Sequence, residues 1–551
     1  MSLKRRDFLT STMTAGALAA QPPARRPNIV LLLTDDQGFG DLSIHGNPYL
    51  NTPNMDAVAR QGVHFTQFQV SPVCSPTRSS LLTGRYHYRT GIVDTFLGRS
   101  MMYPAEVTLA EVLRDAGYRT GIFGKWHLGD NYPMRAMDQG FGEALVHRSG
   151  GMGQASDPPG NSYFNPILFH NGVQKQYTGY CTDVFFENAI RWMEQDPKQP
   201  FFAYIPTNAP HSPLQIADRY ADPFRAKGLP DETARVYGMI ANIDENMGRL
   251  QESLRRSGQE RDTILIFMTD NGATGAERYN AGMRGQKATP YQGGIRVPFF
   301  VHWPARLKAG GKVDRIAAHI DVLPTLLEAC GVPKPAGVKV DGRSLLPALE
   351  GNAAGWPDRM LFTQWHRGDR PEPFRNSAVR TQRYKLIDGK ELYDLEADPG
   401  EKNDLAASRP EIVAQLRKGY EDWLRDVSSD RDYVPPRIYI GTPHENPVVL
   451  TRQDWRVPPD ARGPAAGWWE VDVKRAGAFD ITATLEPVDV DGAARFELSG
   501  VTRTVRVAKG AEECRFPAVP LAAGPGRLQV TVTTGARTKG ARFVELRAIS
   551  K

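Results

Sequence analysis

The chain has 551 residues, 40% of them hydrophobic, so it can bury a large core and is predicted to form two or more domains. Its 68 basic and 62 acidic residues give a formal net charge of +6 and are spread along the whole chain. The sequence has no long basic block interleaved with aromatic residues, which argues against a nucleic-acid partner. The four cysteines lie too far apart to indicate a zinc motif or a disulfide framework. We therefore expect oxygen ligands for any bound metal.

The N-terminus predicts an export signal. Residues 4–9, which are Lys-Arg-Arg-Asp-Phe-Leu, precede a short, weakly apolar run that ends in small residues at 17–20. This order of charge, apolar run and cleavage site is typical of a twin-arginine signal, although a frayed basic N-terminus is the alternative. We expect residues 1–20 to direct the chain through the twin-arginine translocase to the periplasm or the medium. No later segment approaches the roughly 20 apolar residues of a transmembrane segment.

Polar residues follow four predicted strands at the point where each strand ends. These strand ends are Thr34-Asp35-Asp36 after 27–33, Gly124-Lys125-Trp126-His127 after 118–123, Asn208 to His211 after 201–205, and Thr269-Asp270-Asn271-Gly272 after 263–268. Helical stretches at 109–116, 183–195 and 232–256 separate the strands. The alternation predicts an α/β fold whose sheet presents all four polar segments at one edge, where such sheets bind ligands.

The sequence beyond residue 358 predicts three further parts. Residues 359–430 contain shorter strands and one helix, which predicts a smaller α+β subdomain. Residues 431–464 are rich in Pro, Asp and Arg and predict a linker with an ordered stretch around Trp455. Residues 465–551 place β-branched runs between glycine-rich turns, which predicts an appended β-sandwich.

Two acidic strand ends indicate a metal site. Asp35, Asp36, Asp270 and Asn271 offer the hard oxygen ligands that Ca²⁺ or Mg²⁺ prefers. One acidic pair after a strand could equally be a helix cap or a turn, but buried acids so close in sequence would repel one another without a cation. The cationic residues near the same strand ends are Lys125, His127, His211 and Lys287. One such residue alone would be a surface lysine or a structural histidine, but their recurrence favours catalysis.

Residues 73–85 contain the most specific motif. The segment is Val-Cys-Ser-Pro-Thr-Arg-Ser-Ser-Leu-Leu-Thr-Gly-Arg, in which Cys74 and Arg78 fit Cys-x-Pro-x-Arg. Further matches are Gly-Lys-Trp-His-Leu at 124–128, Thr-Asp-Asn-Gly at 269–272, Met-Arg-Gly-Gln-Lys at 283–287 and Tyr-Gln-Gly-Gly-Ile-Arg-Val-Pro at 291–298. Over residues 27–430 the chain resembles the type I, formylglycine-dependent sulfatases of the alkaline phosphatase superfamily. The alternative for Cys74 is a buried structural cysteine.

The resemblance implies a fold, a cofactor and a modification. It places the catalytic domain at residues 27–358, with the large mixed sheet and flanking helices of an alkaline phosphatase-like fold. It implies that a formylglycine-generating enzyme oxidises Cys74 to formylglycine (3-oxoalanine), whose hydrate attacks sulfur to give a formylglycine-sulfate intermediate. It also implies a Ca²⁺ ion, with Mg²⁺ as the alternative. The ligands would be Asp35, Asp36, Asp270, Asn271 and the modified Cys74.

The same resemblance gives each remaining site residue a role. Asp270 takes the proton from the attacking hydroxyl, and Arg78, Lys125 and Lys287 neutralise charge on the sulfate and the diol. His211 or Lys287 protonates the departing alcohol, and His127 then removes the proton of the remaining hydroxyl to expel sulfate. Arg85 is expected to orient the diol from the helix that follows Cys74.

These residues predict a sulfuric ester hydrolase that releases inorganic sulfate from a sulfated carbohydrate or an aryl sulfate. A phosphonate or phosphodiester hydrolase on the same scaffold is the second hypothesis, and a non-catalytic glycan-binding protein built around the C-terminal module is the third. The third fails because every catalytic position is occupied. Variable loops and the C-terminal subdomain are expected to select which sulfated alcohol the site accepts. The candidates there, each either structural or ligand-binding, are Arg99, His147, Trp365, His366 and Arg367.

The C-terminal module is expected to take no part in the chemical step, because all the matched motifs end by Pro298. It would serve polymer engagement by raising the local substrate concentration, or it would add stability. Trp468 and Trp469 either line a sugar platform or belong to the core of the module. A chain that ends near Pro464 is accordingly expected to keep its rate on a small aryl sulfate.

Overall fold

The computed structural model describes residues 26–353, 356–458 and 466–549. The predicted export signal at residues 1–20 lies outside these described residues. Within the described part of the chain, no helix combines the length and the apolar character that crossing a bilayer requires.

A ten-stranded mixed sheet forms the centre of residues 27–358, the predicted catalytic domain, which is called the catalytic part below. Its middle strands are apolar runs, and all seven residues of the first one, Asn28–Thr34, are buried. The strands in this part are β1 (Asn28–Thr34), β2 (Val63–Phe65), β3 (Phe68–Gln69), β4 (Arg119–Lys125), β5 (Glu143–His147), β6 (Ile167–His170), β7 (Val173–Gln176), β8 (Phe201–Pro206), β9 (Thr263–Thr269), β10 (Phe299–His302), β11 (Gly311–Val313) and β12 (Ala317–Ala318). The sheet order is β11-β2-β10-β9-β1-β8-β4-β5-β6-β7, and β3 pairs separately with β12. Strands β9, β1, β8, β4 and β5 run parallel, so their carboxyl ends meet at one edge.

Helices cover both faces of this sheet. They are α1 (Pro53–Gln61), α2 (Cys74–Thr83), α3 (Leu109–Asp115), α4 (Cys181–Glu194), α5 (Asp218–Arg225), α6 (Asp231–Arg256), α7 (Gln292–Ile295), α8 (Val322–Ala329) and α9 (Leu346–Leu349). Because side chains alternate along a strand, Leu31 and Leu33 join a core with α2, α3 and α8, while Val30 and Leu32 join a second core with α1, α4 and α6. The catalytic part is therefore a three-layer α/β/α structure.

The predicted α+β subdomain contains a four-stranded antiparallel sheet and one long helix. The strands are β13 (Leu361–Gln364), β14 (Ser377–Arg380), β15 (Tyr384–Ile387) and β16 (Glu391–Asp394), and the helix is α10 (Pro410–Ser429). Leu416, Tyr420, Trp423 and Val427 of α10 are buried at i, i+4, i+7 and i+11, which is the stripe that covers a sheet.

Two sheets pack face to face in the C-terminal part. The strands are β17 (Ile438–Ile440), β18 (Val448–Thr451), β19 (Trp469–Val473), β20 (Gly477–Thr484), β21 (Gly492–Leu498), β22 (Val501–Val507), β23 (Glu513–Leu521), β24 (Gly524–Thr534), β25 (Arg537–Gly540) and β26 (Phe543–Ala548). One sheet has the order β17-β19-β24-β21-β22 with β25 on β24, and the other has the order β18-β26-β20-β23. One shared core lies between them. The predicted fold class, an α/β domain with a large mixed sheet, an α+β subdomain and a β-sandwich, is confirmed.

The structure departs from the predicted linker at residues 431–464. Strand β17 pairs in parallel with β19, and β18 pairs antiparallel with β26, so this segment supplies one strand to each sheet of the sandwich. These strands have only three and four residues and lie among prolines and charged residues. The average composition of the segment therefore gives no sign of their apolar residues. The sandwich core also includes Met101 and Met134 of the catalytic part, so the two parts share one packed interior.

Trp469, the first residue of β19, and Trp468, which precedes it, have different surroundings. Trp469 is fully buried and its Nε1 donates to the carbonyl of Thr451 at 2.6 Å. Trp468 is half-buried, and the Arg527 guanidinium lies 5.0 Å from its ring centroid. Trp469 is therefore a core residue, and a sugar platform would have to rest on Trp468.

We predict that Trp469→Ala lowers the free energy of unfolding by about 3–5 kcal/mol, because it empties a large core volume. Trp468→Ala is the matched control, with an expected loss of about 1 kcal/mol or less since its ring already contacts solvent. Denaturant unfolding followed by circular dichroism measures both values. Equal effects of the two substitutions would contradict the assignment of Trp469 to the core.

Candidate active site

The parallel register brings the predicted strand ends together. Thr34 pairs with Thr269 across β1 and β9, so Asp35 and Asp270 leave the sheet side by side. The Asp270 amide donates to the carbonyl of Thr34 at 3.0 Å, and the Asp35 amide donates to that of Ala209 at 3.2 Å. The loops after three different strands are thus fixed to one another by backbone hydrogen bonds.

An acidic cluster lies at the centre of this edge. Potential ligand atoms of Asp35, Asp36 and Cys74 all lie within 4.8 Å of one another, and all three residues are buried. The Asp36 amide donates to Asp270 Oδ1 at 3.3 Å, and Asn271 Nδ2 donates to Asp36 Oδ1 at 2.7 Å. The structure therefore brings together all five residues that were predicted to bind metal.

Unsatisfied oxygens show that this cluster fits a hard cation. Asp35 Oδ1 and Asn271 Oδ1 are buried and have no hydrogen-bond partner among the described residues. Leaving a buried oxygen without a partner costs free energy, which a coordinated cation would offset. Carboxylate and amide oxygens are the ligands that Ca²⁺ and Mg²⁺ prefer.

Cationic side chains surround the acids. Arg78 donates to Asp270 Oδ2 at 2.8 Å and lies 3.6 Å from Asp35, which also pairs with Lys125. Lys287 Nζ lies 2.5 Å from Asp36 Oδ1. Arg78 and Lys125 are completely buried, so their charges act through little intervening solvent.

These charges shift the pKa values of the acids in opposite directions. Burial alone would raise the pKa of Asp35, but the charges of Lys125, His211 and Arg78 outweigh it and hold that pKa well below its ordinary value. Burial and the negative charge of Asp35 raise the pKa of Asp270 to about 7, against the lowering charge of Arg78. A divalent cation would add a further lowering charge to both carboxyls.

Cys74 is the first residue of α2, the helix in which every residue is buried. Burial raises the pKa of its thiol to about 11, although Lys125 and Lys287 lower it. An unmodified thiol at this position therefore stays protonated near neutral pH, and protonated thiols are poor nucleophiles. The N-terminus of α2 also contributes a positive partial charge beside Cys74, which favours an anionic group at this position.

His127 and His211 each donate one ring hydrogen to a backbone carbonyl. Because a carbonyl only accepts, His127 Nε2 carries the hydrogen in its 2.8 Å contact with Thr95 O, and Nδ1 is left buried without a partner among the described residues. Burial and the charge of Lys125 hold the pKa of His127 well below its ordinary value. His211 Nδ1 donates to Ser212 O at 2.7 Å, and its Nε2 lies 3.8 Å from Asp36. Burial lowers the pKa of His211 despite the raising charge of Asp36.

A pocket of about 450 Å³ opens above these groups. Its lining includes the predicted residues Cys74, His127, His211, Lys287, Trp365 and Arg367. The lining also includes residues that the sequence did not indicate, among them Phe96, Gln154 and Gln453. Gln453 comes from the sandwich, and no motif or composition signal marks it.

The candidate substrate residues separate into two groups. His147 and His366 are buried, each donates from Nδ1 to the carbonyl of the next residue, and neither lines the pocket, so neither is placed to contact a substrate there. Arg99 donates to Asp369 at 2.8 Å. Trp365 and Arg367 line the pocket, where both donate to Asp94. These two remain candidates for substrate contact.

The structure contradicts the role predicted for Arg85. Arg85 follows the C-terminal end of α2, and a ten-residue helix separates its ends by about 15 Å. The guanidinium donates instead to Glu106 at 2.8 Å and to Asp430 at 2.5 Å. Arg85 therefore joins the helix to the C-terminal end of α10 and does not orient a group at Cys74.

We predict that Asp35→Asn and Asp270→Asn each weaken metal binding by more than about tenfold, because each removes an anionic ligand of a hard cation. Asp472→Asn, on the sandwich, is the control. Elemental analysis after equilibrium dialysis against Ca²⁺ or Mg²⁺ measures the bound metal without any activity assay. Metal content in both site variants equal to that of Asp472→Asn would contradict the assigned ligands.

Comparison with known proteins identifies the family of this site. Residues 27–332 match the family model described as Sulfatase, and residues 286–426 match the one described as N-sulphoglucosamine sulphohydrolase, C-terminal. Arylsulfatase A of Homo sapiens is 31% identical over 451 residues, which cover 74% of this chain and 84% of that protein. N-acetylgalactosamine-6-sulfatase of Canis lupus familiaris is 32% identical over 393 residues, covering 66% of this chain and 72% of that protein.

Solved structures show the same relationship. Ps i-CgsB, solved in complex with k-i-k-neocarrahexaose, has a TM-score of 0.67 and 27% identity, and the match covers 73% of this chain and 93% of that one. The phosphonate monoester hydrolase of Agrobacterium radiobacter, with a TM-score of 0.53 and 24% identity over 74% of this chain and 96% of that one, shares the fold. Since the first family match spans more than half of the sequence, the chain belongs to the sulfatase family and is a sulfatase enzyme.

Proposed function

We propose that this enzyme releases inorganic sulfate from a sulfated carbohydrate or an aryl sulfate, with formylglycine derived from Cys74 as the nucleophile. The observation that carries the proposal is the position of Cys74. It is buried at the start of α2, its sulfur lies within 4.8 Å of ligand atoms of Asp35 and Asp36, and cationic side chains surround the group. A structural cysteine would need neither the acids nor the cations.

Asp35, Asp36, Asp270, Asn271 and the modified Cys74 would hold Ca²⁺, with Mg²⁺ as the alternative. When bound, the cation supplies a positive charge that draws the sulfate group in and polarises its oxygens. A formylglycine-generating enzyme is the partner that the Cys74 motif requires.

The side chains of the chain itself can orient sulfate and move protons. Arg78 and Lys125 are fully buried and stay beside the acids, so they neutralise charge that develops on sulfate oxygens. Asp270, next to Arg78, is the acceptor for the proton of the attacking hydroxyl. His127 presents an unprotonated Nδ1 lone pair, which suits the base that removes the second hydroxyl proton.

His211 or Lys287 would protonate the departing alcohol, and both residues line the pocket. Burial alone would lower the pKa of Lys287, but the negative charges of Asp36 and Asp35 raise it well above its ordinary value, so this lysine stays charged. His211 is the group that can change protonation, and an incoming anion would raise its pKa.

Features of the pocket rim favour a sulfated glycan as substrate. The Arg367 guanidinium lies 4.2 Å from the Phe96 ring centroid and 5.3 Å from that of Trp365, so aromatic faces and a half-exposed cation adjoin the pocket. Aromatic faces bind the apolar faces of sugars, and an exposed guanidinium binds sulfate or carboxylate groups. The hexaose in the Ps i-CgsB complex supports the same proposal.

The proposal also includes export of the enzyme from the cytoplasm. Residues 4–9 and 17–20 carry the charge and the small residues of a twin-arginine signal. We place the enzyme in the periplasm or the medium, after transport by the twin-arginine translocase, where large sulfated glycans are accessible.

The reaction class is tested by comparing turnover of an aryl sulfate with that of an aryl phosphodiester by the purified enzyme, and then by screening defined sulfated saccharides. We expect sulfate release to exceed phosphodiester hydrolysis. The opposite preference would overturn the proposal in favour of the phosphoryl hydrolase hypothesis.

We predict that Cys74→Ala is folded and inactive, because a methyl side chain cannot become an aldehyde. Cys181→Ala is the matched control, since Cys181 is also a buried cysteine at the start of a helix, and it should keep its activity. In the wild-type tryptic peptide 61–78, mass spectrometry should find the aldehyde form about 18 Da below cysteine, from loss of the thiol and gain of the aldehyde. Full activity in Cys74→Ala would refute the nucleophile assignment.

A further inference from the structure

The side chain of Gln453, a residue of the sandwich, forms all its hydrogen bonds with the catalytic part. It lies just after β18 and is 4% exposed. Its Nε2 donates to the carbonyl of Thr95 at 2.9 Å and to Ser100 Oγ at 3.0 Å, and its Oε1 accepts from Ser149 Oγ at 3.0 Å. Both amide hydrogens and the amide oxygen are therefore used across the boundary between the two parts.

The Thr95 carbonyl links Gln453 to His127. That oxygen accepts hydrogen bonds from Gln453 Nε2 at 2.9 Å and from His127 Nε2 at 2.8 Å, which uses both of its lone pairs. Gln453 fixes the direction of the carbonyl, and the carbonyl fixes which nitrogen of His127 carries the hydrogen. The free Nδ1 lone pair of His127 thus depends on a residue that does not touch the ring.

The third partner of Gln453, Ser149, is followed in the chain by glycines that lie against the His127 ring. Ser149 precedes Gly150 and Gly151, which pack directly against the catalytic histidines. A Cβ on Gly150 would come within 2.6 Å of His127 Cε1, and one on Gly151 within 3.3 Å of His211 Nδ1. Gln453 therefore anchors the carbonyl that bonds to His127 and also the backbone on which that ring rests.

Other contacts hold the two parts together independently of this side chain. The Gly98 amide donates to the carbonyl of Gln453 at 2.8 Å, and Arg456 donates to the carbonyls of Leu97 and Gly98 at 3.4 and 3.3 Å. Leu97 packs against the sandwich core. Replacing the Gln453 side chain should consequently leave the boundary assembled, so that its effect on His127 can be measured.

We propose that Gln453 is a positioning residue, through which the β-sandwich holds His127 in the orientation that the sulfatase reaction needs. This inference rests on the proposed role of His127 as a base. It also reverses the expectation that the C-terminal module takes no part in the chemical step. A chain that ended near Pro464 would keep Gln453 but lose β19 and β26, the strands that pair with β17 and β18.

The test compares Gln453→Met with the wild-type enzyme on a small aryl sulfate, which reaches the pocket without contacts to a glycan site. Methionine keeps the size of the side chain and removes its hydrogen bonds. Because a positioned base contributes about 10²–10⁴-fold to the rate, a partly misoriented one should lower kcat by about tenfold and change KM by less than about twofold. Gln529→Met, the same change at a half-buried sandwich position, should leave both constants unaltered.

Crystal structures of the same variants provide a readout that does not use activity. In Gln453→Met we expect the bond between His127 Nε2 and Thr95 O to be lost or lengthened beyond hydrogen-bond distance. The melting temperature should fall by only a few degrees, through the loss of hydrogen bonds by buried partners, because the other contacts between the two parts remain. An intact bond together with unchanged kcat would overturn the proposal, and so would a rise in KM at constant kcat, which would make Gln453 a substrate contact. If the wild-type enzyme hydrolysed no sulfate ester, the proposed function would fail, while the state of the bond would still decide the positioning role.

Discussion

Charge balance in a dry site is the constraint on which the rest of this structure depends. Asp35, Asp36 and Asp270 are buried where an isolated carboxylate would cost several kcal/mol to desolvate. Arg78, Lys125 and Lys287 face them, so the six side chains come close to neutrality without any further group. A bound divalent cation would make the site positive, a condition that favours an anionic ester. Formation of sulfate dianion in the site would bring it toward neutrality, and departure of that dianion would restore the positive charge.

This balance can form only because the sheet is parallel in its middle. The acids come from the ends of β1 and β9, Lys125 ends β4, and Arg78 lies on the helix that begins at Cys74. Parallel neighbours place these ends at one edge, whereas an antiparallel neighbour would send its end to the opposite edge. The seven buried residues of β1 therefore stabilise the core and also fix the positions of the charges.

The sequence could predict those parts of the site that are local in the chain. Apolar runs that end in polar residues located Asp35, Lys125, His211 and Asp270, because strand periodicity and the sheet-edge rule need only a few neighbouring residues. Arg85 was misassigned because the motif fixes a spacing along the helix, while the helix carries its end away from Cys74. Gln453 was missed because its partner Thr95 is 358 positions distant, and strands as short as β17 and β18 leave little pattern. Contacts of this kind depend on how domains pack, which local periodicity does not encode.

The same packing makes the sandwich part of the pocket rim. Asp369 of the subdomain accepts hydrogen bonds from Arg99 of the catalytic part and from Arg456 of the sandwich. Phe96, Arg367 and Gln453, one from each of the three parts, line one pocket. The groups proposed to bind sulfate lie at the sheet edge, whereas Phe96, Arg367 and Gln453 lie where three parts meet. Because Gln453 also donates to the Thr95 carbonyl that accepts from His127, the packing of the sandwich links this rim to the proposed catalytic base.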